Sequence, residues 1–260
     1  MEMYTNEPTG VRLAIGIIFF GLIAVEAIWS YRLGRGVYDW KETLANFGVL
    51  LGTQVSKVVF LGYQMVVLGW FAQFRIAEWS GGVAAFLATF VLIDFLYYWQ
   101  HRIMHEVKFF WAFHLVHHSA QKMNLTTSFR LNWVSPLIVV FFFVPAAVLG
   151  APVSYIIATI AINLVYQFWL HTTAIGKLGW LEGVVNTPSA HRVHHGSNPE
   201  YLDCNYGAVF MIWDRMFGTY APESVPVRYG VTTGPVGYNP FVLVFQGFVD
   251  FFRGRLESRG

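Results

Sequence analysis

Nine histidines, His101, His105, His114, His117, His118, His171, His191, His194 and His195, are the residues on which this sequence can build chemistry. Five of them fall within residues 101–118, a stretch in which nine histidines in 260 residues would leave about 0.6 by chance. They form three motifs: His101-Arg-Ile-Met-His105, His114-Leu-Val-His117-His118 and His191-Arg-Val-His194-His195. Spacings of three and four put side chains on one helix face, so each motif can aim its imidazoles at one point. A pH switch needs one or two histidines, whereas converging neutral imidazoles are metal ligands. One tetrahedral zinc takes only three or four. Eight or nine nitrogens supply two metals with four or five each and leave positions open for oxygen. Spacing alone leaves iron, zinc, copper and nickel equally available.

His171 stands apart, but it closes a stripe. Asn163, Gln167 and His171 recur every four residues in an apolar segment. Polar groups in a membrane helix turn toward a polar interior, which aims His171 at the same place as the other eight and makes Asn163 and Gln167 its supports. Asp94, seven residues before His101, lies on nearly the same face; it is expected to accept the free N–H of a metal-bound imidazole or to relay protons. Thr187 is a natural N-cap with Pro188 at the first helical position, which lays out His191, His194 and His195 before Gly196 stops the helix. Asn198, Asp203 and Asn205 follow; they can bond ligand imidazoles or a coordinated water, or simply form turns. Glu26 and Lys57 are further charges in apolar segments and candidates to pair with each other.

The elements that must position these residues are membrane helices. Hydrophobic residues make up 55% of the chain and charged residues 12%, against roughly a quarter charged in soluble domains. Aromatic residues reach 18%, and mean hydropathy is +0.47. Disorder, a collagen or coiled-coil rod and a soluble globule are excluded. A net charge of +2 gives no reason to expect a nucleic-acid partner. The lone Cys204 excludes an internal disulfide framework and a thiolate cluster.

A span needs about 20 apolar residues. Residues 12–30 qualify, as an anchor rather than a cleaved leader, followed by 46–74 and 82–99. Two shorter runs, 134–149 and 153–171, join at Gly150-Ala151-Pro152 as a helical hairpin whose arms either cross fully or re-enter. The expected fold is therefore all-α: one integral membrane domain over residues 1–260, a polytopic bundle of about four to five spans under a cytosolic helical cap. Its parts are N-terminal spans (12–99), a cytosolic histidine-box region (100–133), the hairpin (134–171) and a cap (172–260) with the third box. A C-terminal apolar helix from Pro240 to Phe252 lies in the interface or packs on the cap. Arg32, Arg35, Lys41, Arg102, Lys108, Lys122, Arg130, Lys177, Arg192, Arg215 and Arg228 flank one side of this layout, and Glu2, Glu7, Arg75 and Glu78 the other. The positive-inside tendency then places the N-terminus outside and every histidine in the cytoplasm. The ending, 257–260, carries no retention signal, so a bacterial inner membrane and the endoplasmic reticulum both fit.

The three boxes on extensions of apolar helices resemble the fatty acid hydroxylase / sterol desaturase superfamily of membrane di-iron oxygenases. The likeness covers about residues 90–220. It includes Asp94-Phe-Leu-Tyr-Tyr-Trp-Gln-His101, Trp111-Ala-Phe-His114, Asn186-Thr-Pro-Ser-Ala-His191-Arg-Val-His-His-Gly196, Asp203-Cys-Asn-Tyr-Gly207 and Trp213-Asp-Arg-Met-Phe-Gly-Thr-Tyr220. These stretches are most similar to the alkylglycerol monooxygenase branch and its bacterial relatives. The resemblance implies two iron ions, O2 as co-substrate, an external electron donor, and hydroxylation or desaturation of a lipid alkyl chain or a sterol-like lipid; in that branch the reductant is a tetrahydropterin and the substrate an ether lipid. An external donor also fits the absence of a haem, flavin or nucleotide fingerprint. An alkyl chain would slide between the spans toward the metals in surroundings that exclude water. Phe141 to Phe143, Tyr97, Tyr98, Trp99 and Trp111 are candidates to line that slot, or ordinary core and interface aromatics. Two other classes compete: a divalent-metal transporter or sensor, with its histidines at mid-span, and a zinc-dependent lipid hydrolase using the same ligands. The motifs fix neither the carbon attacked nor the oligomeric state.

Overall fold

The computed structural model describes residues 9–256; Glu2, Glu7 and the ending 257–260 lie outside the described residues. Among the described residues there is no strand, only two isolated bridges, Glu182 to Val185 and Val185 to Phe210. The expectation of an all-helical chain holds.

Among the described residues, three helices are long and apolar enough to cross a membrane. The first, α1 (Thr9–Arg32), leaves most of its apolar side chains exposed, Ile17 at 72% and Val25 at 65% among them. Such a surface is tenable in lipid, not in water. It ends in a turn where Gly34 and Gly36 take positive φ. The second, α2 (Trp40–Phe71), starts where the Asp39 side chain accepts the Glu42 backbone N–H at 2.9 Å. With one added 3₁₀ turn it runs to Phe74. The third, α3 (Val83–Glu106), follows Gly82 and carries the first histidine box on its last turns.

A single extended residue, Val107, separates α3 from α4 (Lys108–His118) and folds the second box back against the first. The chain then forms a buried 3₁₀ turn, Leu125–Phe129, capped by Asn124.

The hairpin differs from two plain spans. Its first arm is broken into α5 (Pro136–Val139), a 3₁₀ turn (Val140–Phe143) and α6 (Val144–Val148), and its second is α7 (Val153–Phe168). At about 1.5 Å per residue α7 covers only some 24 Å. Yet the tip reaches the far end of the α2–α3 pair: Ile76 N–H donates to the Val148 carbonyl (2.9 Å) and Gly82 N–H to the Tyr155 hydroxyl (3.0 Å). Gly150, at φ 102°, lies so close to the Ala77 carbonyl that no β-carbon fits. At the near end the Ser56 hydroxyl bonds the Trp133 carbonyl. Both arms therefore run the depth of residues 56–82 of the α2–α3 pair, and Leu68, Ile93, Phe143 and Ile156 pack between them.

The third box sits on α8 (Pro188–His194), with the Thr187 side chain accepting the Ala190 N–H at 3.1 Å and His195 as C-cap. A short helix, α9 (Ile212–Phe217), and a terminal one, α10 (Pro240–Phe252), complete the chain. Leu243, Val244 and Gly247 of α10 are buried, with Gly247 against Ala112 of α4, while Phe241 and Phe252 are exposed.

Candidate metal centre

The last turns of α3 hold His101 and His105 one turn apart. The break at Val107 brings α4 back so that His114 and His118, also four apart, face them. Ring centroids lie 4.8 Å apart for His101–His114, 4.9 Å for His105–His114 and 4.7 Å for His105–His118. His194 of α8 closes this group, 4.4 Å from His101 and 4.7 Å from His105. A second group takes His191 from α8, His195 from its C-cap, His117 from α4, and His171. In each group one nitrogen per ring lies within 4.8 Å of all the others.

The doublets explain how three boxes make two groups. Adjacent residues on a helix point about 100° apart. His118 therefore turns to the first group and His117 to the second; His194 and His195 divide the opposite way. The groups adjoin, with His118 and His195 stacked at 4.4 Å.

His171 reaches its place differently from the expected helical stripe. The helix ends at Phe168, and His171 lies in the turn beyond, where its Nδ1 sits 2.9 Å from the Gln167 carbonyl.

In the second group the protons can be placed. His117 Nδ1 lies 3.2 Å from the Arg130 carbonyl, and His171 Nδ1 bonds Gln167. A carbonyl only accepts, so both Nδ1 atoms carry hydrogen and both Nε2 atoms present lone pairs. Those two Nε2 atoms face each other at 3.3 Å. Further Nε2 separations are 3.0 Å for His191–His171 and 3.1 Å for His195–His191. Lone pairs so placed repel unless a cation lies between them. Metal–nitrogen bonds of about 2.1 Å set neighbouring ligand nitrogens some 3.0 to 3.4 Å apart, from octahedral to tetrahedral geometry. The nitrogens fit a metal ion.

The first group has the same construction. His101 Nδ1 lies 2.9 Å from the Tyr206 carbonyl and His194 Nδ1 3.0 Å from that of Cys204, while His101 and His114 bring their Nε2 atoms to 3.0 Å. Eight of the rings are buried and His114 is half-buried. Burial, then neighbouring imidazoles, holds His117, His191, His194 and His195 well below the usual histidine pKa. Burial pushes His171 down to about 4. All five are neutral near pH 7, the form that binds metal.

The expected supporting residues behave unevenly. Asp94 bonds no imidazole: its carboxylate accepts Val209 N–H (2.9 Å), Phe210 N–H (3.2 Å) and Trp213 Nε1–H (2.8 Å), pinning the segment after the third box to α3. Asp94 shares a face of α3 with His101 but lies two turns, about 10 Å, before it, where residues 209–213 rather than a ring pack against it. Gln167 supports His171 through its backbone, while its side chain takes the Tyr97 hydroxyl (2.9 Å). Asn163 is fully buried, and its side-chain atoms bond none of the described residues. Asn198 and Asn205 serve the turns, not the rings. Asn198 holds Pro226 and Arg228, and Asn205 holds Ala190 and Ala221 from a positive φ of 60°. Asp203 alone of the three approaches a ring, with Oδ1 3.7 Å from His105 Nδ1. Glu26 and Lys57 do not pair; Glu26 accepts from Tyr38, Leu125 and Thr172.

Sequence reasoning missed the carbonyls of Arg130, Cys204 and Tyr206, because any residue type supplies a carbonyl. Arg130 carried a weak signal as a charge beside apolar segments. It is buried, donating to Asn46 Oδ1 (2.6 Å), Ser119 Oγ (2.8 Å) and Glu42 Oε1 (3.0 Å), and so fixes the carbonyl that orients His117.

Beside the rings lie two cavities of about 240 and 230 Å³, each bordered by His114 from the first group and His117 from the second. Both share Lys57, Tyr97 and Leu164. A third, of about 360 Å³, shares Lys57 and Leu164 and continues between α2 and the hairpin past Phe60 and Leu68. Of the aromatics expected to line a slot, Tyr97 and Phe143 border these cavities; Tyr98, Trp99, Trp111, Phe141 and Phe142 do not.

Comparison with known proteins agrees with this geometry. The family model described as fatty acid hydroxylase matches residues 86–219. An alkylglycerol monooxygenase from Xenopus tropicalis is 37% identical over 246 residues, 88% of this chain and 52% of the relative. One from Danio rerio is 47% identical over 159 residues, 61% of this chain and 35% of the relative. The ornithine lipid hydroxylase OlsE from Rhizobium tropici is 27% identical over 258 residues, 95% of this chain and 76% of the relative. The chain thus spans about half the length, or less, of these alkylglycerol monooxygenases. No solved structure matches. Since the matched segment covers more than half of the chain and carries all nine histidines, the chain belongs to the fatty acid hydroxylase family.

Proposed function

We propose that this chain is a membrane-bound non-haem di-iron oxygenase that hydroxylates the alkyl chain of a lipid, with O2 and two electrons from an external donor. The observation that carries the reading is the pair of adjoining imidazole groups opening, through His114 and His117, onto an apolar cavity between helices. His101, His105, His114, His118 and His194 would hold one iron and His117, His171, His191 and His195 the other. Iron, when bound, supplies the activation of O2 and the oxidation of a C–H bond. The balance is one C–H bond, O2, two electrons and two protons giving an alcohol and water; desaturation from the same site would give an alkene and two waters.

The chain's own groups do the rest. Backbone carbonyls hold four Nδ1–H groups and so keep four Nε2 lone pairs turned to the metals. The apolar cavity walls orient an alkyl chain and exclude water. Tyr97 stands at the wall with its hydroxyl committed to Gln167. The relatives' names favour an ether lipid or an aminolipid as substrate. A tetrahydropterin or a redox protein would serve as donor. In the proposed topology α1, α2, α3 and both hairpin arms cross the bilayer, the histidines face the cytoplasm, and α10 lies along the interface.

The test is aerobic purification followed by metal analysis and incubation of a lipid extract with O2 and each candidate reductant. Two irons per chain and a lipid gaining one oxygen, or losing two hydrogens, are expected. Tightly held zinc supporting turnover without O2 would replace this reading with a hydrolase.

A further inference from the structure

Lys57 makes no hydrogen bond or ion pair with any described residue, although it lies within an apolar span and borders all three cavities leading to the rings. Its side chain is exposed on the surface of that span, so its ammonium is open to an anionic group beside it. Its depth can be read from α2. From Trp40 to Phe74 that helix has 35 residues, about 52 Å at 1.5 Å each, against a hydrocarbon core of about 30 Å. The excess lies at its start, where Asn46 bonds Thr126 and Arg130, and Ala45 and Val49 pack on Val116 of α4. Counting roughly 20 residues back from Phe74 reaches residue 55. The hairpin begins at the same level, where Ser56 bonds Trp133. Lys57 therefore stands at the hydrocarbon boundary, with the hydroxyls of Thr53 and Ser56 beside it.

We infer that Lys57 receives the anionic headgroup, a phosphate or carboxylate, of the lipid that enters this cavity. The ammonium sits where such a headgroup lies in a bilayer. His114 and His117 border the same cavity of about 240 Å³, so the carbon presented to the rings is within a few bonds of the head, and the rest of the chain runs on past Phe60 and Leu68. The inference takes from the proposed function only that a lipid is the substrate.

The test reads binding, without turnover. The purified protein is offered phosphatidic acid, a diacylglycerol of the same chains, and inorganic phosphate, and retained ligand is measured by native mass spectrometry. The wild type is expected to retain phosphatidic acid about tenfold over the diacylglycerol, the worth of one charged hydrogen bond. Lys57→Arg keeps that preference; Lys57→Met, or Lys57→Gln if the methionine variant is not recovered, removes it. Metal content is expected to match wild type in all of them. An undiminished preference in Lys57→Met overturns the inference, and inorganic phosphate held as well as the lipid overturns the headgroup assignment. Loss of metal from the wild type would instead defeat the di-iron reading, leaving the lipid preference to be read on its own.

Discussion

A histidine doublet such as His117-His118 looks redundant in a sequence, yet the two rings belong to different nitrogen groups. His117→Ala or His191→Ala is therefore expected to remove one metal of two and to leave the group built on His101 and His105 loaded. His105→Ala or His194→Ala should do the reverse, and all four should abolish turnover. Metal-to-protein ratios measured on membrane-inserted variants check this; loss of both metals from each variant would mean that the groups do not load separately. The carbonyls have their own consequence. Arg130→Met frees the backbone that orients His117 and leaves Glu42 buried without its cation. A cost of about 3 kcal/mol or more in stability follows from stranding a buried charge, measurable as a lowered denaturation midpoint.

At the scale of elements, three devices set the site: the break at Val107, the tie from Asp94 to residues 209–213, and the seating of α10 on α4. Asp94→Asn keeps one acceptor oxygen where two now serve three donors. A loss of about 1–3 kcal/mol is expected, with faster hydrogen exchange at Val209 and Phe210 as the local sign. Gly247 lies where a β-carbon would meet the Ala112 carbonyl oxygen at 2.5 Å. Gly247→Leu should push α10 off α4, at about 1–3 kcal/mol for overpacking, and metal content should fall because α4 carries three of the rings. These elements were only partly legible beforehand. The Thr187 cap, Pro188 and the Gly150-Ala151-Pro152 reversal follow from local chemistry that any chain obeys. The fracture of the first hairpin arm and the end of α7 at Phe168, short of His171, follow from packing against other segments, which periodicity does not encode.

At the scale of the molecule, protonation and metal binding bear on the stability of the same rings. Five histidines are held below their ordinary value of about 6.5 by burial. Between that value and about 4, where His171 titrates, the unfolded chain binds more protons than the folded one, so stability falls as pH falls. The thermal midpoint of chelator-treated protein is expected to drop steadily from pH 7 to pH 5. A midpoint flat over that range would show that the rings are solvated. At pH 7 metal restores stability by mass action, about 2.7 kcal/mol at a hundredfold excess over Kd, visible as a rise in midpoint on adding ferrous iron.

Composition and spacing by themselves determined that this is a helical membrane chain with histidines paired one turn apart, because hydropathy and helical pitch are local properties. They could not assign Asp94, Asn198 and Asn205, which have the chemistry to touch a ring and instead hold backbone. Nor could they find the carbonyls that fix the tautomers, or divide nine rings into five and four. Those outcomes depend on which distant segments meet, and only the tertiary structure decided that, since the orientation of a ring is set by whatever backbone packs behind it.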